Sequence, residues 1–223
     1  MTALSLLQLV SPALPVGAFS YSEGLEVLIQ DGSLTDEHQI LDWLQAELQQ
    51  GALRLEAAAL PGLAAAFRLW RDQGDQQARQ WLIDQDRWLL ANREAVEMRS
   101  QQRQMGTSLV QLLAEMGHRL PEPTPLSWPS AWAWAAVALN VSVQETIEGY
   151  LYGWVANQLS AAVRLLPLGP SRAQVLQQRL LSSIEQQAEW LQSQDPRQLW
   201  NQGVGASMAQ LTHAELYSRL FRS

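Results

Sequence analysis

The spacing of apolar residues indicates α-helix along almost the whole chain. Leu, Ala, Gln, Glu and Arg dominate, strand-like alternation is lacking, and Gly or Pro interrupts the pattern at helical distances. One apolar stripe at helical spacing is formed by Ile40, Leu41, Leu44 and Leu48. The pattern predicts an all-α fold, a single globular bundle of about eight to ten helices.

Capping boxes predict where two long helices begin. Ser142 with Glu145 is expected to open a helix that runs to about Leu166. Ser171 with Gln174 is expected to open a second long helix by the same pairing of side chain and backbone.

Single capping residues and helix breakers divide the first half of the chain. We expect Ser22 and Thr35 to be the N-caps of two core helices. Pro61 with Gly62 is expected to interrupt the Ala-rich stretch 52–70. A long helical segment should then occupy residues 74–116.

The stretch 118–129, HRLPEPTPLSWP, holds four prolines and resembles a linker. The residues after it, 131–141, are apolar nearly all round, so the helix that they form needs cover from other helices. We therefore expect one domain over residues 1–223 and not two self-sufficient halves.

The composition of the chain excludes several classes of function. With 47% apolar and 17% charged residues the chain has enough apolar surface to fold. All fifteen basic residues are Arg, against twenty-two acidic residues, for a net charge of −7. This balance disfavours nucleic-acid binding, and the absence of Lys and Cys excludes Schiff-base, P-loop lysine and thiolate chemistry.

The amino terminus has no basic leader before its short apolar run, so we expect neither a secretory signal nor a transit peptide. The apolar runs are shorter than the roughly 20 residues that span a bilayer. We expect a cytoplasmic protein without a membrane segment.

Candidate catalytic groups are few. The three histidines lie far apart in sequence, and each is expected to be a surface or capping residue and not a metal ligand. The pairs Asp84 with Asp86 and Glu94 with Glu97 have the chemistry for acid–base work or Mg²⁺ binding, but interleaved Arg residues favour ion pairs on a solvated face. A helical metabolic enzyme that uses Asp84 and Asp86 is the alternative function.

Small residues along one predicted helix are compatible with two kinds of helix packing. Gly149 and Gly153 are four residues apart, and the small residues 160–162 continue the same face. Such a face permits close helix packing, either within the chain or across a dimer.

Two segments carry residues typical of interfaces. The loop 10–22, with two prolines and Gly17, is expected to display Phe19 and Tyr21, unless these aromatics fill the local core. The tail 203–223 ends in YSRLFRS, and Tyr, Phe and Arg are enriched in binding hot spots. A tail that folds back on its own core is the alternative.

Four sequence blocks together resemble the UreF family of urease accessory proteins. They are residues 6–26 (LLQL to SEGLE), 97–99 (EMR) with 104–106 (QMG), 149–169 (GYL to LSAAVRLLPLG) and 217–223 (YSRLFRS). The blocks occur in the order of that family and span the chain.

The resemblance implies a non-enzymatic chaperone for nickel insertion into apo-urease. Such a protein forms a homodimer, bridges the accessory protein UreD (also called UreH) and the GTPase UreG, and modulates the GTPase cycle of UreG. Nickel and GTP then belong to the maturation complex, and no cofactor is expected to bind this chain directly. A purely structural homodimer is a further alternative.

The family's characteristic surfaces fall on the loop and the tail of this chain. By resemblance, the partner-binding residues are Pro15, Gly17, Phe19, Ser20, Gly24, Glu26, Tyr217, Ser218, Arg219, Leu220, Phe221 and Arg222. The resulting hypothesis is that the UreD homologue orders the tail beside the Phe19 loop, and that the joined surface accepts the GTPase.

Overall fold

A computed structural model describes residues 2–223, so Met1, the first residue of the predicted 1–223 domain, lies outside the described part. Over residues 2–223 the backbone forms ten α-helices and three short 3-10 helices, with no β-strand. The predicted all-α bundle is confirmed. The α-helices are α1 (Thr2–Leu9), α2 (Leu25–Gln30), α3 (Glu37–Gln50), α4 (Leu53–Gln73), α5 (Gln76–Ala91), α6 (Val96–Glu115), α7 (Trp128–Ala138), α8 (Val143–Leu165), α9 (Pro170–Leu191) and α10 (Val204–Thr212).

The centre of the bundle is the pair α4 and α7. Helix α7 packs against α4 and α6, and all its residues from Pro129 to Val137 are buried, as an all-round apolar helix requires. Helix α8 packs against α4 and α9. The helices on both sides of the proline-rich stretch therefore share one core.

One predicted capping box is confirmed and the other is wrong. Glu145 donates its backbone N–H to the Ser142 hydroxyl, and the Glu145 carboxylate accepts the Ser142 backbone N–H at 3.2 Å. Helix α9 instead begins at Pro170 after Gly169, without a side-chain cap. The ring of Pro170 fixes a helical φ and lacks an N–H that would need a partner, so the helix starts before Ser171 can cap it.

Three expectations for the first half of the chain are also corrected. Helix α2 begins at Leu25 after Gly24 and has no side-chain cap, so Ser22 is not its N-cap. Asp36, not Thr35, caps α3, because its carboxylate accepts the backbone N–H groups of residues 38 and 39 at 2.8 and 3.0 Å. Pro61 does not interrupt α4, which runs unbroken through it. The burial of most of the α4 side chains stabilises a helix that proline alone would weaken.

The segment predicted as one helix over 74–116 is two helices, α5 and α6. The chain turns between Ala91 and Val96, where Arg99 donates to the backbone carbonyls of Arg93 and Glu94 at 2.6 and 2.8 Å. This turn buries the Arg93 side chain, and so places a charged group inside the bundle.

Candidate docking site of the loop and the tail

The loop 10–22 and the tail 203–223 are 181 or more residues apart in sequence, and they lie side by side in the structure. The Ser223 carbonyl accepts the backbone N–H groups of Ser22 and Glu23 at 2.8 and 3.0 Å, and also the Ser22 hydroxyl at 2.6 Å. Arg222 donates its backbone N–H to the Ser20 carbonyl at 2.9 Å. The two segments therefore form one continuous surface.

Two glycines of the predicted site are required by backbone geometry. Gly17 and Gly24 have φ of +75° and +90°, in the left-handed region that side chains disfavour. A Cβ at Gly24 would also lie 3.0 Å from the Gln210 backbone nitrogen. Gly24 thus permits close packing of α10 against the start of α2.

Glu26 is the anchor of the tail. Its side chain is 1% exposed, and its carboxylate accepts the backbone N–H groups of Leu220 at 2.6 Å and Phe221 at 3.1 Å. The Nε2 atom of His213 lies 3.2 Å from the same carboxylate. A buried carboxylate that accepts two backbone N–H groups fixes the path of the tail and satisfies donors that would otherwise be orphaned.

Glu97 on α6 holds the same tail from the other side. One of its oxygens lies 3.0 Å from His213 Nδ1, and the other accepts from Arg219 at 3.0 Å. His213 is fully buried between the two carboxylates, although the sequence predicted a surface or capping residue. Its partners are more than 100 residues away in the chain, so no local pattern reveals this role.

Arg164 on α8 connects the loop to the tail. Its guanidinium lies 4.4 Å from the ring centroid of Phe221 and donates to the Phe19 carbonyl at 3.0 Å. Phe221 is 5% exposed beneath it, whereas the Phe19 side chain is 68% exposed. Tyr21, expected to be displayed with Phe19, is instead buried and donates its hydroxyl to Gln104 at 2.8 Å.

The predicted site residues divide by exposure into an outer surface and an inner anchor. We call the exposed set the loop–tail surface; its members are Pro15, Phe19, Tyr217, Ser218, Arg219, Leu220 and Arg222. Gly17 and Ser20 are partly exposed, and Gly24, Glu26 and Phe221 are buried. Tyr217 is fully exposed and Leu220 is half exposed, so large apolar groups face solvent here.

An exposed apolar stripe lies on α10, which forms the first part of the tail 203–223. Val204, Met208 and Leu211 are 66%, 58% and 47% exposed, at the spacing of one helix face. The three residues lie in the predicted interaction segment 203–223, but none is among the individually predicted site residues, although their helical spacing is visible in the sequence.

A cavity of about 500 Å³ lies between the loop and α8. Apolar residues line most of it, and a buried cluster of Glu56, Arg93 and Tyr150 belongs to its polar lining. Glu56 accepts from Arg93 Nε at 2.8 Å and from the Tyr150 hydroxyl at 2.7 Å. Burial raises the pKa of the Glu56 carboxyl and of the Tyr150 hydroxyl. These bonds join α4, α8 and the turn after α5.

The carboxylates of the alternative, enzymatic interpretation do not form a shared site. Asp86 is buried and accepts the backbone N–H and hydroxyl of Ser127 at 2.7 and 2.6 Å, and Arg103 lies 2.7 Å away. Asp84 is exposed and bonds to Gln80 on its own helix. Asp84 lies on the solvated face as expected, but the same expectation is wrong for Asp86, which is buried and stabilises the start of α7.

The glycine spacing on α8 serves one internal contact. A Cβ at Gly149 would lie 2.5 Å from the Leu6 side chain and 3.3 Å from Trp132, so α1 and α7 approach closely there. At Gly153 an added Cβ would meet nothing within 4 Å.

Residues 2–223 hold neither a cluster of metal-ligating side chains nor a membrane-spanning helix. In this range no three His, Asp or Glu side chains are grouped as metal ligands would be. No helix formed by these residues is both long and apolar enough to cross a bilayer.

Comparison with known proteins places the chain in a family. The UreF family model matches residues 34–181, a range that includes neither the loop nor the tail. The urease accessory protein UreF of Prochlorococcus marinus (strain MIT 9215) is 38% identical over 218 residues, 96% of each chain. Those of Thermosynechococcus vestitus and Microcystis aeruginosa are each 38% identical over 99% of this chain and 97% of their own. The chain therefore belongs to the UreF family of urease accessory proteins.

Proposed function

We propose that this chain is a non-catalytic assembly factor for urease, and that the loop–tail surface is where partner proteins dock. The partners are the UreD (UreH) homologue and the GTPase UreG, which the chain connects to apo-urease. The observation that carries the proposal is one surface, built from both ends of the chain, with large aromatic and aliphatic side chains facing solvent. Tyr and Arg are enriched among the residues that dominate binding energy, and contiguous exposed apolar groups mark interaction sites.

The buried anchors give this surface a fixed shape. Glu26, Glu97 and Arg164 hold the tail from beneath, and Tyr217 and Leu220 extend outward from it. The tail already lies beside the loop in the single chain. We therefore propose that the partner covers a preformed surface, in place of the hypothesis that the UreD homologue orders the tail. Preorganisation of this kind lowers the entropic cost of association.

The same proposal assigns the chemistry of maturation to the complex. Nickel and GTP bind other members, and this chain modulates the GTPase cycle of UreG through contact. The net charge of −7 favours basic partner surfaces and makes the association rate depend on salt. The complex would assemble in the cytoplasm, with this chain as a homodimer.

Co-purification tests the docking surface. We expect Tyr217→Ser combined with Leu220→Ser to abolish retention of the UreD homologue and to reduce GTP-dependent activation of urease. Leu69→Ser is the matched control, because Leu69 is 41% exposed near the far end of α4. If the double variant retains the UreD homologue and activates urease as the control does, the loop–tail surface is not the docking site.

A further inference from the structure

His213 is a fully buried histidine whose two ring nitrogens both face carboxylate oxygens. Its Nδ1 atom lies 3.0 Å from Glu97, and its Nε2 atom lies 3.2 Å from Glu26. An ionised carboxylate only accepts hydrogen bonds, and a neutral imidazole carries one N–H and one lone pair. A neutral ring would therefore set its lone pair against one of the two carboxylates, whereas an imidazolium donates to both.

The charges in contact with the ring favour the same state. The Glu26 side chain is 1% exposed, and among residues 2–223 its ionic partner is the His213 ring alone. Glu97 also pairs with Arg219 through its other oxygen. With a neutral ring the buried Glu26 carboxylate would have no counter-charge, which is costly inside a protein. With an imidazolium the two acidic and two basic groups cancel.

The other titratable groups of the surrounding elements are occupied elsewhere or face solvent. Glu23, before α2, accepts hydrogen bonds from side chains of α6 and α8. Three arginines of α6 and the turn before it, Arg93, Arg99 and Arg103, bind Glu56, backbone carbonyls and Asp86, respectively. The exposed groups are Glu94, Glu215, Tyr217 and Arg222, and α10 has no titratable side chain.

We propose that His213 is held as an imidazolium between Glu26 and Glu97, and that docking of the tail on the loop takes up this proton. The same two carboxylates bind the tail through two backbone N–H groups and through Arg219. Loss of the proton removes a ring hydrogen bond and leaves Glu26 without a counter-charge, so the tail loosens. The loop–tail surface is complete while the ring is protonated.

This inference concerns the chain alone and is tested without partners, so its failure leaves the docking proposal standing. The sign of the pH dependence follows from linkage. In a detached tail an exposed histidine loses its proton near about pH 6.5. Docking is therefore most favourable below this pH and weakens as the pH rises. Between about pH 6 and about pH 8 the ratio of docked to detached tail falls by at most about 25-fold, the limit for a ring that keeps its proton throughout in the docked state.

The ring nitrogens report the proton directly. In the full chain labelled with ¹⁵N-histidine, we expect both ring nitrogens of His213 to carry a proton at about pH 7.5, where an ordinary histidine is mostly neutral. The exposed His38 provides the ordinary ring in the same sample, and His213→Gln assigns the signal by its loss. A single protonated nitrogen on His213 would overturn the proposal, whether the second proton is absent or lies on a carboxyl group.

Hydrogen exchange of the tail amides measures the coupling. Protection of 213–223, corrected for the intrinsic pH dependence of exchange, is compared with that of the buried α8 amides in the same sample. From about pH 6 to about pH 8 we expect a fall of about 3-fold to 25-fold in the native chain. His213→Gln cannot ionise, and in Glu97→Gln the new amide group can donate to a neutral ring, so each should remove most of the fall. His38→Gln, an exposed change of the same type, should leave it intact.

Two exchange results also overturn the proposal. In the first, the native chain shows equal tail protection at both pH values. In the second, the full fall persists in His213→Gln and in Glu97→Gln, which assigns it to other titratable groups. The nitrogen spectrum and the native-chain comparison with α8 need no folded variant, so the test holds even if both variants fold poorly.

Discussion

Replacing Glu26 with alanine tests the anchor of the tail. Its carboxylate accepts the Leu220 and Phe221 backbone N–H groups and contacts the buried ring of His213. In Glu26→Ala these donors lose their acceptor inside the protein, and a cavity replaces the side chain. We expect the tail to detach from the loop while the helical core stays folded.

The expected loss of tail stability follows from the two backbone hydrogen bonds that Glu26 accepts. A hydrogen bond to a charged group contributes about 1.5–3 kcal/mol, so two such bonds contribute about 3–6 kcal/mol to a docked tail. The measured loss cannot exceed the free energy of docking, because a detached tail regains hydrogen bonds to water. A loss of about 3 kcal/mol lowers the protection of tail amides by roughly 100-fold.

Hydrogen exchange with peptide-level detection is the suitable assay. Peptides that cover 213–223 should lose protection in Glu26→Ala, and peptides from α7 and α8 should keep it. Glu26→Gln should give an intermediate loss, since its amide oxygen still accepts one N–H while its NH₂ faces another donor. Glu215→Ala, an exposed change in the same segment, is the matched control.

Equal tail protection in Glu26→Ala, Glu215→Ala and the native chain would refute the role of Glu26 as anchor. A uniform loss of protection in the tail, α7 and α8 would show that Glu26 supports the whole core and not the tail alone.

Two further changes probe the fold by urea unfolding. Asp86→Ala should lower the free energy of unfolding by about 2–4 kcal/mol, because the backbone N–H and hydroxyl of Ser127 lose their acceptor. The exposed change Asp84→Ala is the control and should alter the free energy of unfolding by no more than about 0.5 kcal/mol. Equal effects of the two changes would contradict the structural role of Asp86. Gly24→Ala should lower the free energy of unfolding by about 2–4 kcal/mol, since a positive φ and contact with α10 both oppose a Cβ. Gly32 has φ +82° but no neighbour within 4 Å of an added Cβ, so Gly32→Ala should lower the free energy of unfolding by only about 1–2 kcal/mol. Equal losses at the two glycines would show that close packing of α10 adds nothing.

The elements that were predicted correctly depend on neighbours in sequence. The Ser142–Glu145 capping box joins residues three positions apart, and the all-round apolar pattern of 131–141 requires a buried helix whatever surrounds it. Two of the wrong expectations arose where a second local signal competed. Pro170 starts α9 before Ser171 can cap it, and Asp36 binds the free N–H groups of α3 in place of Thr35.

The site was predictable in part. Interface-forming residues at both ends of the chain are visible in the sequence, as is the family resemblance. Their division into anchor and surface is not, because the bonds of Glu26 to the tail join residues up to 195 positions apart. The same holds for His213 between its two carboxylates. Burial and charge pairing at such separations depend on how the helices pack, whereas caps and apolar stripes depend on residues within one or two helical turns.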